Sequence, residues 1–127
     1  MARVQRPLSP HLLIYKPQLT SVLSITHRGT GVLLALALLV LPYWLLSIAS
    51  GPNAYEMMLG HFSAWYGQLF MLGIVFSVYY HLCNGIRHLG WDLGKGLDLP
   101  NTYLTGYIVV FLSVLMTLAT CIWVRMS

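Results

Sequence analysis

Apolar residues dominate this chain in three long runs. About residues 29–55, 57–86 and 99–124 hold no Asp, Glu, Lys or Arg. Each exceeds the roughly 20 residues that a helix rising about 1.5 Å per residue needs to cross about 30 Å of hydrocarbon. Gly51-Pro52-Asn53 marks a turn after the first run, and the segment Asp92–Asn101, with Gly94, Gly96 and Pro100, reads as the loop after the second. Before the first run, Pro7, Pro10 and Pro17 forbid a continuous helix. The pattern predicts an all-α membrane protein: a short non-helical N-terminal arm over 1–20, then a three-helix membrane anchor over 21–127. Its transmembrane helices are expected at about 21–49, 57–91 and 103–125. Pro42 is expected to kink the first without ending it.

Composition supports this reading. Of 127 residues 57% are hydrophobic and 8% charged, far from the balance of a soluble domain. The formal net charge of +4 therefore has a topological meaning rather than pointing to nucleic acid. Arg3, Arg6, Lys16 and Arg28 precede or open the first span, Glu56 is the sole charge of the next connection, and Lys95 stands near Arg87 in the second. By the positive-inside rule, the N-terminus and the second connection face the cytoplasm or the mitochondrial matrix, with Arg125 alone against this. The first twenty residues lack the apolar core of a secretory signal. Cys83 and Cys121 both fall inside expected spans without a CxxC spacing, which excludes a disulfide framework, a zinc site or an iron–sulfur cluster built from this chain.

Ionisable groups at membrane depth are costly and tend to mark function. Ser77, His81, Gly85, His88 and Asp92 fall within roughly an 80° arc of the second helix. Small and polar residues on one stripe suit a helix interface; two imidazoles on it also suit a haem. Seven residues separate the two histidines by about 10 Å along the axis, so at most one can ligate a given iron. His81 lies deeper and is the better candidate. Antiparallel packing is expected to bring His27 level with His88 and Leu34 or Ala35 level with His81, while His61 lies about 30 Å away. A bis-histidine haem would then need its second ligand from another polypeptide.

A second constellation opens the first helix. Ser24, His27, Arg28 and Gly31, spaced i, i+3, i+4 and i+7, share a face at the depth of His88. Arg28 alone reads equally well as an anchor reaching lipid phosphate. With a hydroxyl and an imidazole beside it, the group suits a pocket for a quinone carbonyl or a propionate. Trp44, Trp65, Tyr103 and Trp123 read as interfacial aromatics, and His11 and His61 build no metal site. There is no GxGxxG, P-loop or nucleophile constellation, so the chain alone is not expected to oxidise a soluble substrate.

Three segments carry a family resemblance: Arg6-Pro-Leu-Ser-Pro-His-Leu-Leu-Ile-Tyr15, Ser24-Ile-Thr-His-Arg-Gly-Thr-Gly31 and His81-Leu-Cys-Asn-Gly-Ile-Arg-His-Leu-Gly-Trp-Asp92. Together they resemble the large cytochrome b anchor subunits of succinate dehydrogenase, respiratory complex II, of the mitochondrial and proteobacterial type. The paired SxxHRxTG and HxxxGxRHLxxD motifs are specific, and the likeness covers essentially the whole chain. It implies a non-catalytic anchor within a succinate:ubiquinone oxidoreductase, with His81 as an axial ligand of haem b. It further implies that Ser24, Ile25 and Arg28 line the ubiquinone site and that His27, Arg28 and His88 lie near the haem propionates. The implied partners are a small membrane-anchor subunit supplying the second haem ligand, an iron–sulfur subunit, a flavoprotein subunit and the lipid bilayer. The implied location is the bacterial cytoplasmic membrane with the N-terminus in the cytoplasm, or the mitochondrial inner membrane in a eukaryote.

Other readings remain open at this point. A quinol:fumarate reductase anchor has the same parts run in the opposite direction. A haem-free structural anchor would use its histidines only for packing. A small channel would require ionisable groups through the bilayer, and the outer half here is nearly empty of them.

Overall fold

A computed structural model of the chain describes residues 16–126. Most of the expected arm, including Arg3, Arg6, His11 and the Ser9-Pro10-His11-Leu12 element, lies outside the described residues. The helices are α1 (Leu19–Ala37), α2 (Val40–Ala49), α3 (Pro52–Ser63), α4 (Trp65–Asp92) and α5 (Leu99–Met126). Three helical segments are long and apolar enough to cross a membrane: Leu19–Ala49, Trp65–Asp92 and Leu99–Met126. The all-α, three-span expectation therefore holds for the described residues.

Helix is the natural state of such runs, because a chain in hydrocarbon must satisfy its own backbone polar groups. Proline decides where that regularity yields. Pro42 has no N–H to offer Leu38, and its ring crowds that carbonyl. The chain answers with a tight turn, Leu39 N–H donating to Leu36 O at 3.0 Å, and both Leu38 and Leu39 keep right-handed helical angles. The regular helix is interrupted at Leu38–Leu39 and the span continues to Ala49. Pro100 has the opposite effect: in the first turn of a helix its missing N–H costs nothing. Thus α5 begins at Leu99 rather than near Tyr103, with Asp98 O accepting from Thr102 N at 2.9 Å.

The second apolar run divides where no proline stands. Gly51, at φ 101°, turns the chain into α3 with Pro52 in its first turn. Ala64 then takes an extended conformation and separates α3 from α4, where one continuous helix was expected. Side chains hold the corner: Gln68 Nε2 donates to Ser63 O at 2.8 Å, and His61 Nδ1 pairs with Tyr66 Oη at 2.9 Å. Gly67 makes it possible, since a Cβ there would meet the His61 carbonyl and come within 2.8 Å of Phe62 Cα. Backbone atoms cannot step aside as a flexible side chain does. Gly67→Ala is expected to destabilise the chain by about 1–3 kcal/mol, the usual cost of overpacking, read as a lower unfolding temperature in detergent. An unchanged transition would mean that the corner opens freely.

The helix α4 is central, packed against α1 and α5, with α2 and α3 paired against each other. Leu23, Tyr80 and Val109 form the buried apolar centre where α1, α4 and α5 meet, and Tyr80 Oη donates to Leu23 O at 2.9 Å. Elsewhere close approach relies on small residues. Ser113 and Thr117 are buried on α5 and return their hydroxyls to the carbonyls of Val109 and Ser113. This is packing suited to lipid, where apolar surface gains little by leaving the solvent and close van der Waals contact must hold helices together. Large apolar side chains such as Leu82, Leu115 and Trp123 point outward.

Candidate functional site

Three imidazoles from two helices meet near the end of the bundle that carries the α4–α5 loop. On α4, His81 and His88 stand two turns apart with Gly85 between them. From α1, His27 enters that notch, its Cε1 3.9 Å from where a Gly85 Cβ would stand. It stacks on His81 with centroids 3.9 Å apart and planes at 11°, and on His88 at 5.0 Å and 16°. His27 is therefore sandwiched between the α4 histidines rather than level with His88 alone.

This settles the register of α1 on α4. His81 faces Thr30 and Gly31, about one helical turn from the Leu34–Ala35 level expected from helical rise. A Cβ on Gly31 would lie 3.1 Å from His81 Cε1, so glycine there admits the ring. Counting rise along two ideal rods does not see such a notch. The close approach of His81 to Gly31 favours this register instead.

Carbonyl acceptors determine which nitrogens carry protons. His81 Nδ1 lies 3.2 Å from His27 O, and His88 Nδ1 lies 2.8 Å from Asn84 O. A carbonyl only accepts, so both rings are protonated at Nδ1. Thr30 is buried; its hydroxyl donates to His27 O at 2.9 Å and lies 3.3 Å from His81 Nδ1, where its oxygen shares the same proton. The Nε2 lone pair of His81 is left for a ligand bond. Metal-ligating histidines are typically held in this way, the second nitrogen donating to a backbone carbonyl.

The stack is not a chelating cluster. Parallel rings direct their in-plane lone pairs along parallel planes, which cannot converge on one ion from opposite sides. Among the described residues no group of three or more His, Cys, Asp or Glu is placed to hold a metal. The donor set instead fits a group needing one axial nitrogen from this chain. His27 Nδ1, buried without a hydrogen-bond partner, is a second sign of an unmet polar contact here.

The first-helix constellation is split by the packing. His27 and Gly31 turn toward α4, whereas Arg28 is exposed and Ile25 is 68% exposed, with Ser24 half-buried between the two faces. Ser24, Ile25 and Arg28 thus lie on the margin of the histidine stack, facing away from this chain's own core. Two residues gain importance that the sequence reading did not assign. Thr30 is one, detectable only as a hydroxyl one turn from His27. The other is Arg87, 8% exposed, whose Nε donates to Thr105 Oγ1 at 3.0 Å and Nη2 to Thr102 O at 2.8 Å. Its guanidinium lies 4.0 Å from the Trp91 ring centroid. Asn84, Arg87 and Trp91, at i, i+3 and i+7, form a second polar stripe on α4 turned toward α5.

Comparison with known proteins agrees with this layout. The family described as succinate dehydrogenase/fumarate reductase transmembrane subunit matches residues 2–120. The succinate dehydrogenase cytochrome b556 subunit of Rickettsia prowazekii is 42% identical over 120 residues, covering 94% of this chain and 92% of the relative. The cytochrome b560 subunit of Reclinomonas americana is 42% identical over 91% of this chain and 83% of its own length. The mitochondrial cytochrome b560 subunit of Mus musculus is 43% identical over 87% of this chain and 66% of its own. A match along nearly the full chain, joined to three membrane-length helices and a histidine cluster, places this chain in the succinate dehydrogenase/fumarate reductase transmembrane subunit family.

Proposed function

We propose that this chain is the large membrane anchor of a succinate:ubiquinone oxidoreductase, that His81 ligates haem b through Nε2, and that Ser24, Ile25 and Arg28 form part of the ubiquinone site. The observation that carries the proposal is the His81 ring itself, whose Nδ1–H is held by the His27 carbonyl and Thr30 while Nε2 stays uncommitted. The relatives' names, cytochrome b556 and b560, support the cofactor, and all three are named as subunits of succinate dehydrogenase, which favours this direction over fumarate reduction.

When bound, haem b supplies a one-electron redox centre beside the quinone site. The chain's own contribution is orientation and electrostatics. His27 O and Thr30 fix the tautomer and the plane of His81. His27, Arg28 and His88 would lie around the propionates, with the Arg28 guanidinium as the donor. Ser24 and Arg28 donate hydrogen bonds to the quinone carbonyl oxygens, and these bonds strengthen as negative charge develops there on reduction. A small anchor subunit would supply the other haem ligand, and electrons would arrive from a flavoprotein through an iron–sulfur subunit on the side of the α4–α5 loop. That side is the cytoplasm in a bacterium or the matrix in a mitochondrion, following the basic residues.

Co-purification from native membranes, followed by a reduced-minus-oxidised spectrum, tests the assignment. A four-subunit complex with a reducible b-type band is expected. A complex that assembles and oxidises succinate but shows no such band would reduce this chain to a haem-free anchor.

A further inference from the structure

The buried guanidinium of Arg87 presents a problem that the haem and quinone readings do not solve. Its hydrogen bonds end on neutral oxygens, those of Thr105, Thr102 and Asn84. No carboxylate pairs with it among the described residues. Asp92 is exposed. Both Asp98 oxygens accept from Asn101, from the backbone N–H at 3.2 Å and from Nδ2 at 2.8 Å, which holds that carboxyl below its usual range. Thr102 belongs to the first turn of α5, so Arg87 also faces the positive end of a helix dipole. A buried cation in low dielectric requires a counter-charge.

Beside Arg87 a groove of about 400 Å³ opens between α4 and α5. Arg87, Lys95 and Thr105 line one end, and Ile86, Ile108 and Leu112 lie along the remainder. The loop carrying Lys95 is tied in place, Lys95 N–H donating to Gly90 O at 3.0 Å and Trp91 Nε1 to Gly96 O at 3.1 Å. Buried Arg87 and exposed Lys95 thus stand beside a groove whose walls are otherwise apolar. The histidine stack occupies a different face of α4, toward α1.

We propose that this groove binds an anionic phospholipid from the leaflet on the loop side, its phosphate against Arg87 and Lys95 and an acyl chain along Ile86, Ile108 and Leu112. The site is independent of the haem assignment. Charge complementarity selects the occupant: a zwitterionic lipid brings its own cation to a place that already holds two.

The test uses the intact complex, stripped of lipid in detergent and titrated with phosphatidylglycerol or with phosphatidylcholine of the same chains, bound lipid being counted by native mass spectrometry. The wild type is expected to retain one more phosphatidylglycerol per copy of this chain than phosphatidylcholine. Lys95→Gln is expected to weaken that lipid about fivefold, the contribution of one basic residue beside an anionic headgroup. Ile108→Trp, which fills the apolar part of the groove without touching either charge, is expected to lose it. Arg87→Gln is a poorer probe because it also unties α4 from α5. Equal retention of the two lipids by the wild type, or unchanged retention in both variants, would overturn the proposal. So would a cross-link from position 95 to a partner subunit's acidic residue, which would identify a protein counter-charge instead.

Discussion

Replacing His81 by alanine is expected to remove the b-type absorption band from the purified complex while leaving succinate oxidation by a soluble artificial acceptor intact. The side chain is only half-buried and its hydrogen bonds are to Thr30 and the His27 carbonyl, so its loss does not open the apolar centre formed by Leu23, Tyr80 and Val109. Groups that merely orient a metal-bound histidine are worth about 10–100-fold in metal affinity, and losing the ligand itself should cost at least that. Thr30→Val gives a graded version: haem retained, its midpoint potential moved, with Thr30→Ser restoring the wild-type value. If His81→Ala keeps a normal spectrum, the axial nitrogen is not this one, and His88, already bonded to Asn84 O through Nδ1, becomes the ligand to test.

Arg28→Ala should act on a different step. Hydrogen bonds from a charged donor are worth about 1.5–3 kcal/mol, and each 1.36 kcal/mol is about tenfold in rate. A loss of roughly 10–100-fold in kcat/KM for ubiquinone is therefore expected, with the haem band still present and electron delivery to a soluble acceptor changed by no more than about twofold. Because Arg28 is exposed in this chain, its removal disturbs no internal packing. Ser24→Ala, which removes a neutral donor, should cost less, about fivefold from a net value near 1 kcal/mol. Normal quinone kinetics in both variants would remove the quinone site from this helix. Loss of haem together with quinone activity would make the propionates the greater part of Arg28's role and leave the quinone role without support.

The two predictions separate because the structure divides what the sequence had joined. Helical spacing put Ser24, His27, Arg28 and Gly31 on one face. Packing turns His27 and Gly31 inward to α4 and leaves Arg28 outside, on a surface this chain does not cover. Likewise the histidine stripe of α4 was legible from its spacing, but the companion stripe of Asn84, Arg87 and Trp91 was not. Arg87 read as a loop-side charge because nothing in its neighbours announces that Thr102 and Thr105, on the next helix, would accept its hydrogen bonds. The break at Ala64 was equally hidden. It depends on Gly67 meeting the end of α3, a contact that becomes visible only when two helices are placed together.

What the sequence determined by itself was the number of spans, the all-helical class, the turn at Gly51-Pro52 and the residues with chemistry to offer. These follow from local requirements, since an apolar run of membrane length must satisfy its own hydrogen bonds as helix and a proline cannot supply one. Tertiary structure alone decided the register that places His27 between His81 and His88, the proton on Nδ1 of His81, and the burial of Arg87 with no carboxylate partner among the described residues. Each of those depends on which atoms of one helix fit the surface of another, at glycine notches of ångström dimensions that spacing along a single chain does not encode.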